Sequence, residues 1–224
     1  MKLRFLGQSG FQLQDGSHEV VIDPFMSQNG ATPVQPDEVS PGHIVLTHAH
    51  GDHYGDTPDI AKRTGAKVVG SFEIANYVSA RGMDGVGMNV GGGAAFPFGH
   101  LRFTPAWHSN SFPDGTYAGM PAGIVLDMGG MRIHHAGDTA LFGDMRLTGR
   151  LGLDLALVPI GDFFTMGPDD ALEAVKLLSP KTVIPIHYNT FDAIRQDGRA
   201  FKERVEGETE ARCLVLEPGD SLEL

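Results

Sequence analysis

Apolar residues in this chain fall in short runs, each closed by glycine, proline or charged residues. Phe11 and Leu13 alternate with Gln12 and Gln14, and Val20, Val21 and Ile22 follow the turn sequence Asp15-Gly16-Ser17-His18. Alternating runs on either side of such a turn predict a hairpin. Valine, isoleucine and leucine mark further strands at 43–46, 67–70, 101–107, 123–127, 131–135, 153–158 and 183–186, with a last one at 220–224. Between them the pattern predicts helices after Asp52 and at 71–80, 139–147, 169–178 and 191–205. The helix at 169–178 has the clearest start, because Pro168 and the acidic pair Asp169 and Asp170 precede its apolar face. Glycines 91–93 read as a turn, since no phosphate-cradling glycine motif accompanies them. Strands followed by alternating strands and helices define an α/β class. The 224 residues suffice for one domain with a sizeable core, spanning 1–224, and are few for two.

The polar residues beyond the strand ends carry the chemistry. Thr47-His48-Ala49-His50-Gly51-Asp52-His53 follows the apolar run at 43–46 and sets three imidazoles and a carboxylate on one loop. Histidine nitrogen and aspartate oxygen are the donors that hold zinc or a similar divalent cation. Alternation lets His48 and His50 face one ion while Asp52 and His53, entering the next helix, face another. Downstream, His108, Asp138 and His187 each stand where a strand gives way to glycine or polar residues, as residues carried on loops above a rigid sheet do. Singly each is ordinary. Together they complete two coordination spheres.

This order of residues resembles the signature of the metallo-β-lactamase superfamily, His-x-His-x-Asp-His with a later His, Asp and His. The segments His135-Ala136-Gly137-Asp138-Thr139, Pro159-Ile160-Gly161-Asp162-Phe163-Phe164-Thr165-Met166-Gly167-Pro168 and Pro185-Ile186-His187-Tyr188-Asn189-Thr190 are similar to those of its small metal-dependent hydrolases, a subgroup akin to the ascorbate phosphate lactonases. The resemblance implies an αββα four-layer sandwich, two facing mixed β-sheets with helices outside. It implies that His48, His50 and His108 hold a first ion, that Asp52, His53 and His187 hold a second, and that Asp138 bridges them. Two divalent metal ions are expected, zinc first and manganese as the alternative. Gln8 departs from the subgroup, which often has histidine there, and this puts one contact behind the ligands in question.

Paired ions lower the pKa of a shared water, so the expected reaction uses a metal-bridging hydroxide on a small ester, lactone or phosphodiester, with Asp52 as the catalytic carboxylate. No serine or cysteine nucleophile is then needed, and the Gly-x-Ser-x-Gly elbow is missing. Two other classes compete: a di-metal redox protein of the same fold, and a binding protein that keeps ions or a ligand without turnover. The di-iron oxygen reductases resemble His-x-Glu-x-Asp-His, and an imidazole at His50 favours a Lewis-acid site over that pattern. The 48 residues between Asp138 and His187 are too few for the inserted domain of the RNA-cleaving branch. The ending at 220–224 leaves no expected room for the helical domain of glyoxalase II or a flavodoxin module.

Net charge is −11 with no lysine or arginine run, which disfavours nucleic acid as a partner. No apolar run approaches a bilayer span, and residues 1–7 enter strand-like alternation without a secretory apolar core. Cys213 is the only cysteine, so an intrachain disulfide is impossible and a reducing cytoplasm is expected. A small-molecule substrate and no membrane partner follow, and a homo-oligomer is compatible with this composition. Among secondary candidates, Thr47 and Thr139 are expected to orient ligands and His135 to stand behind Asp138. Ser109, Asp162, Thr165, Tyr188 and Asn189 are expected around the pocket. Trp107 and Cys213 are expected in the core, and His18, His43, His100 and His134 are read as structural or solvated.

Overall fold

A computed structural model describes residues 1–224. β1 (Lys2–Gly7), β2 (Gly10–Asp15) and β3 (His18–Ile22) pair antiparallel. β4 (His43–Val45), β5 (Lys67–Ser71) and β6 (Asp84–Met88) then extend the sheet in parallel from β3. The second sheet follows the same plan. β7 (Gly93–Phe96), β8 (Gly99–Pro105), β9 (Ala122–Met128) and β10 (Met131–His135) are antiparallel. β11 (Leu155–Pro159), β12 (Thr182–Ile186) and β13 (Arg212–Cys213) continue it in parallel. β14 (Ser221–Glu223) returns to the first sheet beside β1, so each sheet has seven strands.

Period-two alternation sorts the strand residues into layers. Val20 and Ile22 point into a core of 22 buried residues drawn from both sheets, while Val21 joins the layer outside. Likewise Leu155 and Leu157 point inward, and Ala156 and Val158 outward. Outside the first sheet, α2 (Thr57–Thr64) and α3 (Phe72–Ser79) contribute Ile60, Ala61, Ile74 and Val78. Outside the second sheet, α5 (Pro168–Leu178) and α6 (Gly198–Glu208) contribute Leu172, Val175, Phe201 and Val205. Strands covered on both faces read as unbroken apolar runs, which is why 153–158 and 183–186 stand out in the sequence. The result is the expected αββα sandwich.

The helix boundaries differ where tertiary contacts take over the backbone. The helix expected after Asp52 is split into α1 (Gly51–Tyr54) and α2. Between them lies Gly55 at φ 35°, where a Cβ would come within 2.2 Å of the Pro24 carbonyl oxygen. Residues 139–147 are mostly irregular, and only α4 (Met145–Gly149) is helical. There the Thr139 carbonyl accepts from Met166 N–H, and Ala140 N–H donates to Trp107 O, which leaves no helical ladder. In 191–205 a 3-10 turn at Asp192–Ile194 precedes α6, whose start is capped by the Asp197 carboxylate on Arg199 and Ala200 N–H. Gly93 opens β7 instead of completing a turn. Trp107 lies beyond the end of β8 and is 66% exposed, contrary to its expected place in the core. Cys213 is buried as expected, and burial pushes its thiol up to about 12. No helix is long and apolar enough to cross a membrane.

Candidate metal centre

Every ligand candidate stands on a segment leaving a strand: His48 to His53 after β4, His108 after β8, Asp138 after β10, His187 after β12. Two ties hold these segments of different sheets together. Ala122 N–H donates to Thr47 O at 3.0 Å, and His135 Nε2 lies 2.8 Å from Ser9 O while its Nδ1 accepts from Gly137 N–H. His135 therefore fixes the approach to Asp138 through backbone, without touching the carboxylate.

All seven predicted residues come together, in two groups: His48, His50 and His108, then Asp52, His53, Asp138 and His187. In the first, His48 Nε2 lies 3.1 Å from His50 Nδ1. In the second, His187 Nε2 lies 3.3 Å from Asp52 Oδ2 and His53 Nε2 lies 3.5 Å from the same oxygen. Asp138 links the groups. Its Oδ2 is 3.8 Å from His48 Nε2, 3.6 Å from His108 Nε2 and 3.0 Å from His187 Nε2, and its Oδ1 is 3.3 Å from His53 Nε2.

A tetrahedral ion with bonds of about 2.0–2.1 Å sets its ligand nitrogens about 3.3 Å apart, and these spacings straddle that value. His53 Nε2 and Asp138 Oδ1 are buried and face each other at 3.3 Å without forming a well-aligned hydrogen bond. Buried polar atoms without partners are costly, so a cation that both can ligate fits this place. The residues present suit a zinc-like ion.

Behind the ligands, Asp23 is the main residue that the sequence did not reveal. Its Oδ1 accepts from Thr47 N–H, and its Oδ2 accepts from Thr47 Oγ1 and from His53 Nδ1 at 2.8 Å. Asp23 also groups spatially with His48 and His53, but its oxygens are already committed to these donors, so it reads as a support and not as a third ion site. Because Thr47 gives its proton to Asp23, its oxygen can accept from His48 Nδ1 at 3.1 Å, which leaves the Nε2 lone pair facing the site. Thr47 thus orients a ligand as expected, whereas Thr139 bonds backbone at Trp107 and Ala140. Asn110 sets the His48–His50 turn by accepting from Ala49 N–H while donating to Ala118 O.

Gln8 fills the contact that its difference from the subgroup put in question. It is buried, donates from Nε2 to Asp52 Oδ2 at 2.8 Å, and accepts His187 N–H on its main-chain carbonyl at 2.8 Å. Gln8, Asp23 and His187 all have positive φ (54°, 45° and 56°). Side-chain-bearing residues adopt that region reluctantly, and here the hydrogen bonds of the site hold them in it.

The two groups differ in charge. Burial pushes the imidazoles of His48, His50 and His108 below the usual histidine range. Burial acts in the same direction on His53, but the carboxylates of Asp138, Asp52 and Asp23 outweigh it and hold that ring well above the range. For His187 burial is likewise overcome, chiefly by Asp138, and the ring is raised to about 9. Burial would raise both carboxyls, yet the imidazoles of His53 and His187 hold Asp52 and Asp138 low.

A cleft of about 800 Å³ opens over His50, Asp52, His108, Asp138 and His187, with Ser109 on its wall. Asp162, Thr165, Tyr188 and Asn189 do not line it, contrary to expectation. Tyr188 and Asn189 face a separate small cleft with Gln8, because the positive φ of His187 and Asn189 turns the chain away. Phe25, Gln28, Phe164, Phe191 and Ala193 take their place, and only the adjacent Phe163 and Phe164 in a glycine-bounded loop could have hinted at this.

A four-layer sandwich with this centre between its sheets defines a class, and the chain belongs to the metallo-β-lactamase superfamily. The beta-lactamase superfamily domain family matches residues 18–188. Within it the chain is one of the metal-dependent hydrolases: it is 54% identical to the UPF0173 metal-dependent hydrolase of Thermus thermophilus over 100% of this chain and 99% of that protein. The structure of Igni18, a novel metallo hydrolase from the hyperthermophilic archaeon Ignicoccus hospitalis, matches with a TM-score of 0.91 at 37% identity, covering 100% of this chain and 98% of the other. CmlA, a diiron β-hydroxylase from Streptomyces venezuelae, shares the fold at a TM-score of 0.76 and 12% identity, over 100% of this chain and 54% of its own. One fold thus serves different chemistries, and the reaction must be argued from the site.

Proposed function

We infer that the seven residues hold two divalent cations, zinc or manganese, and that the protein hydrolyses a small ester, lactone or phosphodiester. The observation that carries this reading is Asp138, one buried carboxylate within 3.8 Å of ring nitrogens from four histidines across both groups. His48, His50 and His108 would hold one ion; Asp52, His53 and His187 the other; Asp138 would serve both. Bound ions supply Lewis acidity and lower the pKa of water. The chain's own residues do the rest. Gln8 fixes one Asp52 oxygen, and Asp52, partly open to the cleft, is placed to orient water and accept its proton. Asp23 and Thr47 keep the lone pairs of His53 and His48 aimed inward. His50 stands where the redox pattern carries a carboxylate, which favours hydrolysis over oxygen chemistry. A lone buried cysteine suits a cytoplasmic setting.

The test is elemental analysis after loading with zinc or manganese, followed by a panel of activated esters, lactones and bis-aryl phosphates. About two ions per protomer and turnover on one class are expected. A stoichiometry near zero overturns the ligand assignment, and full loading without turnover leaves the binding-protein reading.

A further inference from the structure

The walls of the cleft differ in chemistry from its floor. Phe25, Phe164, Phe191 and Ala193 form the apolar wall, and Gln28 and Ser109 are its only polar members outside the His50–Asp52 turn and the other ligands. No lysine or arginine lines the cleft. Fixed anions such as phosphate or carboxylate groups are usually gripped by such side chains, Arg above all where two oxygens are recognised together. Cations on the floor would attract a negative group of the substrate, but no cationic side chain on the walls would, and outside the floor it would meet the field of a chain at −11.

The aromatic wall is open and held in place before any substrate arrives. Phe164 is 53% exposed and Phe191 41% exposed, unusual for side chains of this size. Phe164 packs edge-to-face on Phe163 with ring centres 4.8 Å apart, and Phe191 leans on Phe25 at 6.3 Å. The loop bearing Phe164 is pinned by hydrogen bonds from Asp162 N–H to Met166 O, Thr165 N–H to Asp162 O and Met166 N–H to Thr139 O. Phe191 directly precedes the 3-10 turn after β12. About 800 Å³ is far more than an acetyl group fills and lies within the range of pockets that enclose whole small molecules.

We propose that the substrate is an uncharged carboxylic ester or lactone carrying an aryl ring or a medium-length acyl chain, which packs against Phe164 and Phe191 while its carbonyl lies over the floor. The proposal rests on the hydrolytic reading above and selects within it, against phosphodiesters. In the reaction water adds to the carbonyl carbon and the acyl C–O bond breaks. The alkoxy oxygen leaves with one proton as the alcohol, and the acid retains the new hydroxyl.

The test compares p-nitrophenyl acetate, butyrate and octanoate with bis(p-nitrophenyl) phosphate, all sharing a leaving group, on protein of verified metal occupancy. Each methylene buried against the wall is expected to raise kcat/KM by roughly fourfold until the cleft is filled. The phosphodiester should be the poorest substrate. Phe164→Ala and Phe191→Ala alter exposed side chains and should fold; the loss should be larger for octanoate than for acetate and appear in KM. Calorimetric binding of decan-2-one, a ketone that cannot be hydrolysed, should weaken about tenfold in the same variants. A flat chain-length profile, a faster phosphodiester, or unaltered ketone binding in both variants overturns the proposal while hydrolysis stands. No turnover on any of the four, nor on the uncharged aryl lactone dihydrocoumarin run beside them, overturns the hydrolytic reading and this proposal with it.

Discussion

The two ligand groups lie within one centre, one of three histidines and the other of two histidines and two aspartates, and they are charged by opposite means. His48, His50 and His108 are neutral rings, kept so by burial. Asp52, His53, Asp138 and His187 form a knot of two carboxylates and two imidazoles, each stabilising the charge of the other. The carboxylates favour protons on His53 and His187, the positive charge that a cation would otherwise supply. An ion among three neutral imidazoles keeps more of its positive charge than one flanked by carboxylates, so the first position suits polarising an oxygen and the second suits tight electrostatic retention. Asp138 is where the two regimes meet.

The strongest way to break this comparison is to remove the shared member. Asp138→Ala should cost both ions and reduce hydrolysis by more than about 100-fold, beyond what supporting contacts usually cost. Elemental analysis and turnover check it together; a variant that keeps one full ion would show that Asp138 belongs to a single group.

Changing Asp52 separates chemistry from folding. Asp52→Asn and Asp52→Ala should lower turnover by about 10²–10⁴-fold while the thermal midpoint moves little, because the cores lie in the apolar layers. Full turnover in either variant removes Asp52 from the mechanism.

A smaller effect is expected one contact further back. Gln8→Ala should weaken the second ion by about 10–100-fold and leave the first almost unchanged, since the lost side chain bonds Asp52 alone while the main-chain bond from His187 N–H to Gln8 O is retained. Gln8→His should recover part of the loss, histidine being more tolerant than most residues of the positive φ there. Equal weakening of both ions would erase the distinction between the groups.

The mildest test is pH. Asp138 raises His187 to about 9 and the surrounding carboxylates raise His53 as well, so at neutral pH an ion entering the second group must displace protons. Its affinity should rise with pH up to about 9, with proton release visible as a dependence of calorimetric heat on the buffer. The first group, whose rings are lowered, should bind with little pH dependence above about 6.5. Matching pH profiles for the two ions would refute the charge contrast.

Much of this centre is written locally. Four ligand candidates sit within six positions of one loop, and a cluster of that density after an apolar strand is readable without coordinates. His108, Asp138 and His187 are legible only as single residues at strand ends, since each comes from its own strand far along the chain. Asp23 left no trace, because an aspartate before a proline at a strand end looks like any turn residue. Its role exists only because β3 lies beside β4 and brings the carboxylate against Thr47 and His53. Residues 139–147 and 191–205 depart from their helical pattern for a related reason: the backbone groups of Thr139 and Ala140 bond distant segments, and Asp197 delays the second helix.

By itself, then, the order of residues determined the α/β alternation and a dense set of donors suited to divalent ions, while the layered sandwich followed from the family resemblance. Periodicity and donor chemistry are properties of neighbours along the chain. Tertiary structure supplied the distances behind the bridging place that resemblance implied for Asp138, and it alone decided that Gln8 and Asp23 brace the ligands and that Phe164 and Phe191 wall the cleft. Those are distances between residues far apart in sequence, set by sheet pairing and by strand ends that meet across the sandwich.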